Sequence, residues 1–139
     1  MIKYEIFIFA AVLSGSIARI IQRTTEEERA EFRVVHKNCQ GNPVTFADES
    51  FIDNLFEGVF PEDYQVKVHL VCMHKGLKMM TPDGKLNVDV IKGKWAKHAN
   101  GEHLNKLQQC LVEKSSPEET SWQFLKCQHN IRVALYGNY

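Results

Sequence analysis

Four cysteines constrain this chain of 139 residues more than any other feature. They stand at Cys39, Cys72, Cys110 and Cys127, after a short apolar segment at the N-terminus. This combination is typical of an oxidised, secreted protein that is held together by disulfide bonds. No two of them form a C-x-x-C pair, so their spacing argues against a zinc site. Four cysteines allow three pairings, and the spacing alone does not choose among them.

The first residues have the pattern of a cleaved signal peptide. Lys3 precedes an apolar run over residues 6–13, and Ser16 and Ala18 place small side chains at the two positions that signal peptidase reads. The run is shorter than the roughly 20 apolar residues that span a bilayer. We therefore expect residues 1–18 to be removed. Residues 19–139 then form a single secreted domain that is not inserted into a membrane.

Charge and histidine spacing exclude several classes of partner. The chain carries 17 Lys and Arg against 17 Asp and Glu, so it lacks the basic surface that nucleic acids and anionic membranes require. His69 and His74 are five residues apart, as are His98 and His103, whereas two metal ligands on one helix need a spacing of three or four. We expect no bound nucleic acid, metal or cofactor.

Apolar residues recur with helical periodicity, and turn signals separate six segments. The first predicted helix is opened by the capping box Thr25–Glu28 and ends near Asn42, the second covers about residues 46–57, and the third starts at Pro61. The fourth covers about residues 87–98, the fifth carries Leu104, Leu107 and Leu111, and the sixth is opened by Ser116-Pro117. The third carries the apolar stripe Val66, Leu70, Met73, Leu77 and Met80. Six amphipathic helices predict an all-α domain whose stripes share one interior.

The cysteines and the segments around them resemble the framework of the insect odorant-binding proteins. The resemblance rests on Cys72 within HLVCMHKGLKMMTPDGKLN, on Cys110 and Cys127 within CLVEKSSPEETSWQFLKCQHN, and on the turn at 83–84. Members usually carry six cysteines, and here Val68 and Glu118 stand where the second and fifth would be. The chain is therefore similar to the four-cysteine, minus-C branch, including its beetle haemolymph and accessory-gland members.

The resemblance implies a fold and a function. It implies the bridges Cys39–Cys72 and Cys110–Cys127 in a compact six-helix domain around an apolar cavity. The implied function is a secreted carrier of small hydrophobic ligands such as odorants, pheromones or fatty acids. A membrane receptor for the ligand is a further candidate partner, and a monomer or weak dimer is expected. Losing two cysteines removes one whole bridge, between the third helix and the last, and we hypothesise that the looser interior admits ligands of different shapes.

Candidate pocket residues follow from the inner faces of the helices. The expected wall is apolar apart from one amide, and consists of Phe51, Leu55, Phe56, Leu70, Met73, Leu77, Ile91, Trp95, Leu107, Leu111, Phe124, Gln128 and Ile131. The alternative is that these side chains fill a solid core. The side-chain amide of Gln128 is expected to form a hydrogen bond either to a ligand or to the neighbouring backbone.

Two hypotheses concern regulation of such a pocket. Three histidines lie on helices that should contact it, His69, His74 and His129, and their protonation is a candidate trigger for ligand release. The C-terminal residues 136–139 are either a lid over the pocket or a frayed end.

Two other functions compete with a carrier. One is a secreted seminal or salivary protein that acts through its surface. The other is a small secreted hydrolase, for which the sequence offers no G-x-S-x-G motif, no P-loop and no His-Asp pair beside a calcium loop. We therefore expect a protein that is not an enzyme.

Overall fold

The fold consists of α-helices joined by short loops. The computed structural model describes residues 25–137. Its six α-helices are α1 (Glu26–Gln40), α2 (Glu49–Phe56), α3 (Tyr64–Gly76), α4 (Val88–Ala96), α5 (Gly101–Leu107) and α6 (Pro117–Tyr136), and a 3-10 turn (Gln108–Cys110) continues α5. The all-α prediction is confirmed. The predicted signal peptide, residues 1–18, lies outside the described residues.

Side-chain caps fix where most of the helices begin. Thr25 forms the predicted capping box, in which its hydroxyl accepts a hydrogen bond from the Glu28 N–H and the Glu28 carboxylate accepts one from the Thr25 N–H. The helices α2, α3, α5 and α6 start after side chains that accept a backbone N–H of the first turn, from Asp48, Asp63, Asn100 and Ser116.

Several helix boundaries differ from those that the periodicity predicts. α2 begins at Glu49 and not near Phe46, because the Asp48 carboxylate accepts the Ser50 N–H at 2.9 Å and caps the helix there. α3 ends at Gly76, so two members of its predicted stripe, Leu77 and Met80, follow the helix.

The chain turns at Lys78, whose φ of 64° lies in the left-handed region. α4 ends at Ala96, two residues before the predicted end, and Leu111 lies beyond both α5 and the 3-10 turn. In these places a short turn replaces the last part of a predicted helix.

The interior has two groups of buried residues on either side of α6. The α4–α5 cluster consists of Met80, Leu86, Ile91, Trp95, Leu107, Cys110 and Phe124. The α2–α3 cluster consists of Ala47, Ile52, Leu55, Val66, Leu70 and Trp122. α6 serves both because Trp122 and Phe124, two positions apart, lie on different faces of the helix.

Two disulfides fasten the helices to one another. Cys39–Cys72 joins α1 to α3, and Cys110–Cys127 joins the 3-10 turn to α6. These are the pairs that the family resemblance implies, and they use all four cysteines of the chain. Over residues 25–137, no helix is both long and apolar enough to cross a bilayer.

Candidate functional site

A small apolar cavity lies between α1, α2, α3 and α6. Its volume is about 100 Å³, and we call it the α1–α3 cavity. Its wall consists of Phe32, His36, Ile52, Leu55, Phe56, His69, Leu70, Met73, His74, Leu77 and Leu125. Eight of these eleven side chains are apolar and the other three are imidazoles. A hydrophobic enclosure with a few polar groups is the usual form of a small-molecule site.

Helical periodicity explains how each helix contributes to this wall. On α1, Phe32 and His36 are four residues apart and therefore lie on one face. On α2 the wall residues lie three and four apart, at positions 52, 55 and 56. α3 supplies two adjacent pairs, at positions 69–70 and 73–74, and α6 supplies Leu125. The Cys39–Cys72 bridge holds α1 against α3 at the same place.

His74 makes a buried contact with α6. Its Nδ1 lies 2.9 Å from the hydroxyl oxygen of Ser121 on α6, and both side chains are buried. Burial lowers the pKa of His74 from 6.5 to about 4, because the charged imidazolium would lose its hydration. His74 is therefore neutral at physiological pH.

His69 and His36 lie side by side at one end of the wall. Their ring centroids are 5.3 Å apart, with the rings nearly perpendicular. His69 Nδ1 lies 2.9 Å from the Thr45 carbonyl oxygen, and His36 Nε2 lies 3.0 Å from a carboxylate oxygen of Glu49. Burial lowers the pKa of His69 more than its bond to the Thr45 carbonyl raises it. Each ring therefore has one nitrogen held by a protein acceptor.

The structure brings five of the thirteen predicted pocket residues into this wall: Leu55, Phe56, Leu70, Met73 and Leu77. Phe51 packs against the α2–α3 cluster. Six others belong to the α4–α5 cluster or pack against it, namely Ile91, Trp95, Leu107, Leu111, Phe124 and Ile131. Ligand contact at these positions stays a prediction, and the α1–α3 cavity does not include them.

The side-chain amide of Gln128 forms its hydrogen bonds with other groups of the protein. Its side-chain oxygen accepts a hydrogen bond of 3.0 Å from Trp95 Nε1, and its amide nitrogen lies 3.4 Å from the Phe124 carbonyl oxygen. Of the three histidines in the release hypothesis, His69 and His74 line the cavity. His129 lies elsewhere, with its ring 5.4 Å from that of Phe60.

Sequence reasoning missed four apolar or aromatic members of the wall: Phe32, His36, Ile52 and Leu125. A signal for the α1 pair was present, because Phe32, His36 and Cys39 follow a spacing of four and three. A bridge from Cys39 to α3 requires that face of α1 to point inward. Within residues 25–137, no group of three or more His, Cys, Asp or Glu side chains is placed to hold a metal ion.

Two beetle proteins are similar to this chain over most of its length. The B2 protein of Tenebrio molitor is 26% identical over 120 residues, which cover 85% of this chain and 92% of that protein. The B1 protein of the same beetle is 25% identical over 120 residues, covering 85% of this chain and 91% of that protein.

A solved structure shares the fold. The crystal structure of odorant binding protein 4 from the predator Chrysopa pallens matches with a TM-score of 0.57 at 19% identity, covering 84% of this chain and 99% of that one. The match to a family model, the two beetle relatives and this shared fold together confirm the resemblance to insect odorant-binding proteins, and two disulfides fit the minus-C type. Since the sequence model of the PBP/GOBP family matches residues 21–130, the chain belongs to that family.

Proposed function

We propose that this protein is a carrier that reversibly binds small hydrophobic ligands in the α1–α3 cavity. The observation that carries the proposal is a partly open cavity whose wall has eight apolar side chains, supplied by four helices and by Leu77 after α3. Membership of the PBP/GOBP family and the fold shared with an odorant binding protein support a carrier of small ligands rather than an enzyme.

The volume of the cavity limits the size of the ligands that it can hold. Its volume of about 100 Å³ is below that of an engineered cavity of roughly 150 Å³ that takes up benzene, and below the roughly 300 Å³ of the smallest drug-sized pockets. The preferred ligands are therefore short or slender. Larger guests require the wall to move, for which Met73 is suited because an unbranched thioether repacks easily.

Burial of apolar surface supplies the driving force. A guest that loses about 200 Å² of apolar surface to the protein gains roughly 5 kcal/mol at about 25 cal/mol/Å². Micromolar affinity requires about −8 kcal/mol. Small guests should thus bind with Kd values above the micromolar range, which suits rapid loading and release.

The proposed site of action is outside the cell. The signal-peptide pattern of residues 1–18 and the two disulfides support secretion of a domain formed by residues 19–139. A membrane receptor that receives the ligand is the proposed downstream partner.

Two methionine variants test the location of binding. Met73→Trp fills the cavity, whereas Met79→Trp makes the same change at a residue that packs against the α4–α5 cluster. Displacement of a fluorescent apolar probe is measured on both variants and on the unaltered protein. We expect Met73→Trp to weaken probe binding by about tenfold or more and Met79→Trp to change it less than about threefold.

Equal loss in the two variants would contradict the assigned cavity. If the unaltered protein binds neither the probe nor any short alcohol, acid or terpenoid, a function at the protein surface replaces the carrier. Turnover of short-chain esters or phospholipids by the purified protein would favour the hydrolase.

A further inference from the structure

We propose that the α1–α3 cavity selects ligands whose polar end donates a hydrogen bond, such as alcohols and phenols, over ligands whose polar end only accepts one. The groups that would receive the ligand hydroxyl are His69 Nε2 and His36 Nδ1. Both are buried, and neither has a hydrogen-bond partner within residues 25–137. This inference rests on the proposed carrier function and adds the chemical class of the ligand.

The tautomer of His69 follows from its neighbour. Its Nδ1 lies 2.9 Å from the carbonyl oxygen of Thr45, and a carbonyl can only accept, so Nδ1 carries the proton. A neutral imidazole with a protonated Nδ1 has a bare Nε2 that accepts hydrogen bonds. The side chain is 1% exposed, and its burial lowers its pKa, which keeps the ring neutral and Nε2 bare.

The Glu49 carboxylate determines which nitrogen of His36 carries the proton when that ring is neutral, and the two nitrogens are exchanged relative to His69. Its Nε2 lies 3.0 Å from one oxygen of the Glu49 carboxylate and 3.3 Å from the other, so Nε2 donates. Gln40 also donates to Glu49, at 2.8 Å, and holds the carboxylate in place. In neutral His36 the remaining nitrogen, Nδ1, is therefore an acceptor.

An acceptor without a partner raises the free energy of the empty protein. A buried polar group that is left unsatisfied destabilises the protein, and a ligand hydroxyl that reaches it removes that penalty. His36 and His69 both line the cavity, so a guest seated against Leu70 and Met73 lies next to their side chains. The two nitrogens are buried, so the guest hydroxyl reaches them by displacing part of the wall.

Ligands that only accept hydrogen bonds gain nothing from these nitrogens. The oxygen of an ether, aldehyde, ketone or ester would meet another lone pair and repel it. An ionised carboxylate would also be repelled by the charge of Glu49 behind His36. The inference therefore ranks short alcohols above the corresponding carboxylates.

The test uses two isomers with the same number of non-hydrogen atoms, 1-pentanol and butyl methyl ether. Their affinities are measured at pH 8 by competition against the fluorescent probe, for the unaltered protein and for His69→Asn and His36→Gln. The asparagine amide keeps a donor near Thr45 and the glutamine amide keeps one near Glu49, while each change removes the bare ring nitrogen. His103→Asn is the control, because His103 is buried on α5 and does not line the cavity.

We expect the unaltered protein to bind the alcohol about tenfold more tightly than the ether. This ratio of affinities should fall about threefold or more in His69→Asn and in His36→Gln, and should not change in His103→Asn. The nitrogen-15 signal of His69 Nε2 should have the shift of a bare nitrogen and should move when the alcohol is added. If both isomers bind equally well, or if His69 carries its proton on Nε2, this inference is wrong while the carrier function stands. If neither isomer binds, the proposed function fails first, and this inference fails with it.

Discussion

Lys67 Nζ lies 3.0 Å from a carboxylate oxygen of Glu119, and this ion pair joins α3 to α6. The two residues are the sequence neighbours of Val68 and Glu118, where family members with six cysteines would carry the second and the fifth. The Lys67 side chain is only 13% exposed, and its ammonium group lies 5.4 Å from the ring centroid of Trp122. An ion pair thus lies next to the place of the missing disulfide.

Removal of this ion pair should destabilise the protein slightly and in a salt-dependent way. Lys67→Met keeps an unbranched aliphatic side chain at this position but removes the charge. We expect the free energy of unfolding to fall by about 0.2–1 kcal/mol at low ionic strength, and by less at 1 M salt, since salt screens partly exposed charges. Urea denaturation at both salt concentrations measures the effect. A loss that does not depend on salt would contradict a contribution from the ion pair.

Restoring the missing bridge should narrow the range of ligands. In Val68→Cys/Glu118→Cys, a new disulfide would tie α3 to α6 and stabilise the protein by up to about 4 kcal/mol through the closed loop. We expect large guests to lose more affinity than small ones, because the cavity wall includes residues of both helices. Probe displacement with guests of increasing size, in the oxidised and the reduced variant, measures this. An unchanged ligand range in the oxidised form would contradict the hypothesis of a looser interior.

Stability should fall in mild acid because of His74. Its pKa is about 4 in the folded protein against an ordinary value of 6.5, so the unfolded chain binds the proton more readily between these values. The stabilisation is complete above pH 6.5 and is lost as the pH falls towards 4, for a total of about 3 kcal/mol. The lowered pKa values of His69 and His129 add to it in the same direction.

Thermal unfolding of His74→Asn between pH 4 and pH 7 measures this contribution. The variant should lose part of the pH dependence because it has no imidazole at this position. Ser121→Ala, which removes the hydroxyl beside His74 Nδ1, should keep the pH dependence. A pH dependence that is the same in His74→Asn and in the unaltered protein would contradict the assignment.

The two disulfides should contribute similarly to stability but differently to binding. Cys39–Cys72 closes 33 residues and Cys110–Cys127 closes 17, and the chain-entropy model gives about 3–4 kcal/mol for either. Only the first bridge joins two helices that both line the α1–α3 cavity. We expect Cys39→Ser/Cys72→Ser to weaken probe binding about tenfold more than Cys110→Ser/Cys127→Ser, at a temperature where both variants are folded. If Cys110→Ser/Cys127→Ser loses more probe affinity than Cys39→Ser/Cys72→Ser, the ligand binds near the 3-10 turn and not in the α1–α3 cavity.

Local signals in the sequence predicted most of the helices. The caps at Thr25 and Ser116 act within four residues, so they can be recognised without knowledge of the fold. The end of α3 could not be found in this way. Gly76 is the last residue of α3, and a Cβ at that position would lie 2.4 Å from Val35 Cγ1, so the glycine allows α1 to approach α3. Such a contact depends on which helices meet.

The same reason explains the partial prediction of the cavity. Periodicity showed which face of each helix is apolar, so Leu70 and Met73 were assigned correctly to the interior. It did not show which apolar faces surround a cavity and which pack tightly together. Trp95 and Phe124 stack with ring centroids 6.0 Å apart in the α4–α5 cluster, whereas Phe32 lines the cavity from α1.

The most direct test of the account locates a bound ligand by nuclear Overhauser effects between a short alcohol and the leucine methyl groups of the protein. The account predicts contacts to Leu55, Leu70 and Leu77, which line the α1–α3 cavity. Contacts confined to Leu104, Leu107 and Leu111, which belong to the α4–α5 cluster or pack against it, would contradict it.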